Sequence, residues 1–251
     1  MIAPNGERVC CINGRGEELV GLLLGQSGLS LVICCHDMFT DKSDLKYVRL
    51  CQELASLGVP SLRFDFSGCG ESSGRLFDLS YSRQMDDLGS VIDFAASMGA
   101  CRIGLFGSSM GGAVALLGAA RDERVVAVAT LGAVGHPEDI AERCPRAVER
   151  WRATGWIDTQ AGRIGSGFLQ DARQHDVIGA VGVLLAPVLV IHGEEDEVVD
   201  PSDAHDIACA ARRAILELVP GADHGFSRQE HLRPAIRRVA QFLAAHLRES
   251  A

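Results

Sequence analysis

Arg102-Ile103-Gly104-Leu105-Phe106-Gly107-Ser108-Ser109-Met110-Gly111-Gly112-Ala113-Val114-Ala115-Leu116 runs from an apolar strand at residues 102–106, through a turn of glycine and serine, into a small-residue helix at 112–120. A serine on so sharp a strand-to-helix turn holds a strained backbone conformation with its hydroxyl exposed. The residues two before and two after it then approach so closely that only glycine fits. Gly107 and Gly111 hold those places around Ser109. Ser109 is therefore the candidate nucleophile, and Ser108 is expected to pack or hydrogen-bond locally. Alone, a G-x-S-x-G match is weak, because many fall in ordinary loops. The flanking strand and helix give this one its weight.

Working outward, short β-rich runs alternate with longer helical patterns, the mark of a mostly parallel sheet covered on both faces. Strands are predicted at residues 9–12, 19–24, 31–35, 60–64, 102–106, 125–131, 188–191 and 214–218. The first two, joined by Asn13-Gly14-Arg15-Gly16, read as an antiparallel hairpin at one edge. The expected fold class is α/β, an eight-stranded, mostly parallel sheet with helices on both faces. Met85, Leu88, Val91, Ile92 and Ala95 repeat at helical spacing, as do Leu232, Ile236, Val239, Phe242 and Leu243. The alternation breaks over residues 135–179, which carry Trp151 and Trp156. A connection of that length predicts an inserted lid over the carboxyl edge of the sheet, where open α/β sheets bind ligands. The alternative is two extra surface helices with no part in substrate contact. Gly165-Ser166-Gly167 reads as a turn of this insert, since no strand is expected before it.

The totals narrow the function classes. The 251 residues suit one domain, 1–251, without a linker, and the apolar fraction of 47% with 23% charged residues is that of a globular protein. A net charge of −9 opposes binding to nucleic acid, which needs clustered Lys and Arg. Nine cysteines, scattered and including the adjacent pairs Cys10-Cys11 and Cys34-Cys35, read as reduced thiols, so a cytoplasmic location is expected. None has C-x-x-C spacing, Gly68-Cys69-Gly70 lacks the third glycine of a dinucleotide fingerprint, and no P-loop lysine follows a glycine run. No metal or organic cofactor is expected. Residues 1–9 have no apolar core for a signal peptide, and the most apolar run, 180–191, is too short to span a bilayer and carries Gly182 and Pro187. No membrane partner is expected, and the oligomeric state is a monomer or a homodimer.

A serine nucleophile needs a base to take its proton and an acid to hold that base in the right tautomer. After strand 188–191 comes His192-Gly193-Glu194-Glu195-Asp196-Glu197-Val198-Val199, and after strand 214–218 comes Gly221-Ala222-Asp223-His224-Gly225-Phe226. Both loops leave the sheet at the same edge as the serine turn. His224 is the candidate base, while Asp196, Glu194, Glu195 and Glu197 all remain open as the acid. His36 and His192 are supporting candidates. His136, His175, His205, His231 and His246 are expected in solvated positions, and Asp223 is either a turn residue or a tuner of His224.

With these pieces the sequence resembles the α/β-hydrolase superfamily from about residue 19 to the last helix, including the order nucleophile, acid, histidine. Within it the chain is most similar to small lidded esterases, which include cinnamoyl and feruloyl esterases and serine-aminopeptidase-like hydrolases. Arg63-Phe64-Asp65-Phe66-Ser67-Gly68-Cys69-Gly70-Glu71-Ser72-Ser73-Gly74 resembles their glycine-spaced loop, and His192-Gly193-x-x-Asp196-x-x-Val199 resembles their acid loop. The resemblance selects Asp196, which completes a triad of Ser109, Asp196 and His224. One oxyanion donor is expected at the N–H of Met110, immediately after the nucleophile; the second, by resemblance, is the N–H of Met38. Two departures stand out. His36-Asp37-Met38-Phe39 replaces the usual His-Gly, so a carboxylate pointing inward would oppose the developing anion, and Cys69 stands where histidine is common. His36, Phe39, Trp151, Trp156 and Phe168 are the candidate pocket residues, although the tryptophans serve equally as anchors of the insert. The implied function is a serine hydrolase that cleaves small-molecule carboxylic esters of small acyl or aromatic acids through an acyl-enzyme. A thioesterase, amidase or lactonase on the same triad, or a non-catalytic ligand-binding protein, is the alternative.

Overall fold

Leu31, Ile33 and Cys35 pack with one layer of buried residues, and Val32 and Cys34 with another, because successive side chains of a strand point to opposite faces. That alternation places this strand between two helical layers. In the computed structural model, which describes residues 6–26 and 28–248 without the side chains of residues 141 and 142, the sheet contains β1 (Glu7–Ile12), β2 (Glu18–Leu24) and β3 (Ser30–Cys35). After helix α1 (Leu45–Ser56) come β4 (Ser61–Phe64), α2 (Tyr81–Ser97), β5 (Arg102–Ser108), α3 (Met110–Ala119) and β6 (Val125–Leu131). The first five residues of the stretch read for a leader lie outside the described residues.

An insert follows β6. It holds α4 (Ile140–Arg143), α5 (Pro145–Thr154), β7 (Trp156–Thr159), β8 (Gly162–Gly165), α6 (Gly167–Ala172) and α7 (Val177–Val183). The sheet resumes with β9 (Val188–Gly193), α8 (Pro201–Ala210), β10 (Ala214–Val219) and α9 (Gln229–Arg248). The order is β1-β2-β4-β3-β5-β6-β9-β10, antiparallel at β1/β2 and β2/β4 and parallel elsewhere. This is the expected eight-stranded α/β sheet. Helices α1 and α9 bury their apolar stripes on one face, while α2, α3, α7 and α8 contribute to the core on the other. Among the described residues no helix is long and apolar enough to cross a membrane.

Residues 156–165 depart from the sequence reading. The two short strands β7 and β8 pair as a separate antiparallel hairpin, so a strand does precede Gly165-Ser166-Gly167. Ser166 nevertheless has φ −66° and ψ −13°, a relaxed helical backbone, and leads into α6 without strain. His175 is a second correction. It is buried rather than solvated, with Nε2 3.0 Å from Ser82 Oγ and 3.3 Å from Asp171, and its ring lies against Tyr81.

An ion cluster, buried at Lys42 and Asp65 and exposed at Glu71, fixes the two loops beside the serine turn. Lys42 Nζ lies 2.5 Å from Asp65 and 2.6 Å from Glu71, and the Asp65 carboxylate also accepts from the backbone amides of Lys42 and Glu71. The loop after β3 is thereby tied to the loop after β4. Gly70, at φ +50°, lies so close that a Cβ there would overlap the Asp65 carboxylate. This packing accounts for glycine at position 70 of the motif.

Candidate active site

Ser109 sits at φ 52° and ψ −123°, a strained backbone for a residue with a side chain, held by its own N–H donating to Leu131 O at 3.0 Å. A Cβ on Gly107 would run into the backbone of Gly111, and one on Gly111 would strike the carbonyl oxygens of Cys35 and His36. The turn can therefore nest against the end of β3 only with glycine at both places. The hydroxyl it presents lies 3.0 Å from His224 Nε2, and His224 Nδ1 lies 2.7 Å from Asp196 Oδ2. Since a carboxylate only accepts, Nδ1 carries the proton and Nε2 is free to take one from the serine.

The acid is held from several sides. Its Oδ1 accepts from the amides of Val198 and Val199 at 2.9 and 2.8 Å. His192 Nε2 lies 3.0 Å from both Val199 O and Asp196 Oδ2, while its Nδ1 is buried with no partner among the described residues. Burial pulls the Asp196 carboxyl up, but hydrogen bonds from His192 and His224, the Val199 amide and the charge of His224 outweigh it and hold the acid well below the usual carboxylate range. Glu194, Glu195 and Glu197 are exposed. The acid and histidine loops interlock at Gly193, where a Cβ would strike the carbonyl of Ala222.

Met38 and Met110 both border the cavity that opens at Ser109, and among the described residues neither backbone N–H makes a hydrogen bond. His36 is not in the cavity wall. Its ring is buried edge-on against Phe66, with Nε2 accepting from Phe66 N–H at 3.0 Å and Nδ1 donating to Asp37 O at 2.8 Å. A trans peptide sets the Met38 N–H opposite the Asp37 carbonyl, so this bond directs the N–H away from the histidine. The side chain of Asp37 is turned onto Lys46, with Nζ 2.6 Å from Oδ2, and its N–H donates to Tyr47 Oη at 3.0 Å. Lys46 Nζ also donates to Ser108 Oγ at 3.3 Å, so the bond expected to be local for Ser108 comes instead from α1.

The cavity encloses about 670 Å³ and is predominantly apolar. Phe39, Trp151 and Phe168 line it; Trp156 does not. Alternation along β7 is the reason, since Ile157 faces the cavity and its neighbour must face away, where the Arg163 guanidinium lies 5.1 Å from the Trp156 ring. Trp151 both lines and anchors. Its ring stacks on Phe168 at 5.7 Å, and its Nε1–H donates to Ile164 O at 2.8 Å. Lys46, Tyr81 and Arg143 also line the cavity and were not found from sequence. Arg143 is paired bidentately with buried Asp203, at 3.0 and 2.6 Å, across a sequence gap that no local pattern reports. Among the described residues no cluster of three or more His, Cys, Asp or Glu side chains is arranged to hold a metal ion.

A family model described as the alpha/beta hydrolase family matches residues 32–235. Among curated proteins, the mitochondrial palmitoyl-protein thioesterase ABHD10 of Mus musculus is 28% identical over 183 residues, covering 67% of this chain and 59% of that protein. The chain thus spans 59% of that relative's length. Est1E from Butyrivibrio proteoclasticus, solved with ferulic acid bound, superposes with a TM-score of 0.85 at 22% identity, over 96% of this chain and all of that one. Alpha/beta hydrolase domain-containing protein 10 from mouse superposes with a TM-score of 0.81 at 21% identity, over 96% of this chain and 99% of that one. At these identities the two solved structures speak for the fold.

Proposed function

The chain belongs to the alpha/beta hydrolase family, and on that premise we propose that it is a serine esterase acting on carboxylic esters of small acyl or aromatic acids. The observation that carries this reading is the unbroken relay from Ser109 through His224 to Asp196 at the mouth of an apolar cavity. His224 Nε2 takes the serine proton as Oγ attacks the ester carbonyl, and Asp196 stabilises the resulting imidazolium. The tetrahedral oxyanion is bound by the N–H groups of Met110 and Met38, the first at the positive end of the α3 dipole. His224 returns the proton to the departing alcohol, leaving an acyl-serine. Water deprotonated by the same nitrogen then releases the acid, with no cofactor in any step.

A panel of nitrophenyl, hydroxycinnamoyl and thioester substrates tests the reading. Turnover of the esters by the parent, abolished in Ser109→Ala, is the expected result. Equal turnover by both proteins sinks it. A thioesterase is the second reading, supported by the apolar cavity together with the mouse relative's activity, and a thioester preferred over the matching ester by kcat/KM would favour it. A non-catalytic receptor would not react with a fluorophosphonate probe, whereas the esterase should be labelled at Ser109. The insert is proposed to act as the lid that sets acyl choice. A reducing compartment, for which the cytoplasm is proposed, accords with nine cysteines that are all free thiols.

A further inference from the structure

Asp37 places a carboxylate on the residue immediately before the Met38 N–H, in the wall of the same cavity as Ser109. An unpaired negative charge there would oppose the oxyanion that the N–H is proposed to bind, since the Asp37 side chain is largely buried and the repulsion would be poorly screened. The carboxylate is instead held by Lys46. The lysine side chain is 8% exposed, and its ammonium spans from Asp37 Oδ2 to Ser108 Oγ, next to the nucleophile. Its position is unusual for helix stability, because Lys46 lies in the first turn of α1, where the helix dipole disfavours a cation. The charge belongs to the loop rather than to the helix. Burial draws the Asp37 carboxyl up, yet the adjacent Lys46 charge and its hydrogen bond outweigh that and hold it below the usual carboxylate range.

We propose that Lys46 is a positioning residue of the oxyanion hole. By holding the Asp37 carboxylate on its ammonium, it cancels a charge that would repel the tetrahedral anion and keeps the Asp37–Met38 peptide turned with its N–H open to the cavity. Bonds converge on every polar group of that one residue: Lys46 and the Tyr47 hydroxyl donate to the carboxylate, Tyr47 Oη accepts from the N–H, and His36 Nδ1 and the Thr40 N–H donate to the carbonyl. The aspartate that replaces the expected glycine is thus tolerated because α1 supplies its counter-ion. The inference rests on the serine-hydrolase reading and adds to it a residue that touches no reacting atom.

Lys46→Met and the double variant Lys46→Met/Asp37→Asn separate charge cancellation from simple packing. Two rates are read across pH: labelling of Ser109 by a fluorophosphonate, and kcat and KM on a nitrophenyl ester. Lys46→Met should lower kcat and the labelling rate by about tenfold or more with little change in KM, as expected for an interaction felt in the transition state. The double variant should regain most of that loss, because the uncompensated charge has gone. Asp37 is faced by Lys46 and Tyr47 of α1 and by His36 of its own loop, and His36 is neutral because its Nε2 accepts from Phe66 N–H, so removing Lys46 leaves no cation on it. Its carboxyl must then protonate more readily, and the variant-to-parent rate ratio should climb as pH falls in the single variant but stay flat in the double. A double variant as slow as the single one, or a single variant at the parental rate, overturns the proposal. If Lys46→Met does not fold, by near-UV circular dichroism, Lys46→Gln carries the same comparison. Labelling of the parent but not of Ser109→Ala upholds the serine-hydrolase reading whatever the lysine series gives, whereas an unlabelled parent defeats both.

Discussion

Asp196 accepts from His192, His224 and two backbone amides, and each of these bonds favours the carboxylate over the acid. Asp196→Asn keeps the shape but presents an amide to His224 Nδ1, which favours the wrong tautomer. Its kcat should fall by about 10³- to 10⁴-fold while KM changes little, in steady-state assays on the best ester of the panel. The same carboxyl sets a pH dependence of stability. Its proton affinity is lower in the fold than in the unfolded chain, where a value of about 3.9 applies. The stabilisation is therefore fully present above that pH and is lost as pH falls towards the folded value. Urea unfolding of the parent at pH 6, 4 and 3 should show a steeper loss of stability than that of Asp196→Asn. Sequence singled out this aspartate among four acidic neighbours only through a resemblance, because charge type alone does not say which side chain turns inward.

Between β5 and α3 the chain reverses within a few residues, and the two flanking glycines are what allow it. Gly111→Ala would push a methyl group into the carbonyls that end β3 and should cost about 3 kcal/mol or more, read as a large drop in Tm or as loss of folded protein. At Gly70 an added methyl group would displace the Asp65 carboxylate that holds Lys42, with a similar thermal penalty. These turns were legible because the constraint is local: a positive φ or a close backbone approach demands glycine whatever surrounds it. The hairpin of β7 and β8 was not legible. Its strands have four residues each, with Ile164 the one fully buried large apolar side chain among them, and further contacts that seat them come from Trp151 of α5 and Phe77, which packs on Gly165. Trp151→Ala should therefore weaken kcat/KM for bulky acyl groups by about tenfold while affecting an acetyl ester less, in parallel assays.

At the scale of the molecule, the insert and the carboxyl edge of the sheet enclose the 670 Å³ cavity, with the relay at its mouth. If the acyl group enters it, each added methylene should raise kcat/KM roughly fourfold along a ladder of nitrophenyl esters until the cavity is filled. A flat ladder would show that the chain lies elsewhere. Consecutive residues alone were enough to specify the α/β sheet, the glycine-framed serine turn, the loops bearing Asp196 and His224, and the order in which they occur. Those features follow from side-chain alternation, helical periodicity and local backbone sterics, which are written in consecutive residues. It took the assembled fold to show that His36 backs the loop carrying Met38, that Trp156 faces away from the cavity, that His175 is buried and that Lys46 pairs with Asp37. Each depends on side chains brought together from separate elements, where packing geometry and charge pairing across space, rather than any spacing along the chain, fix the outcome.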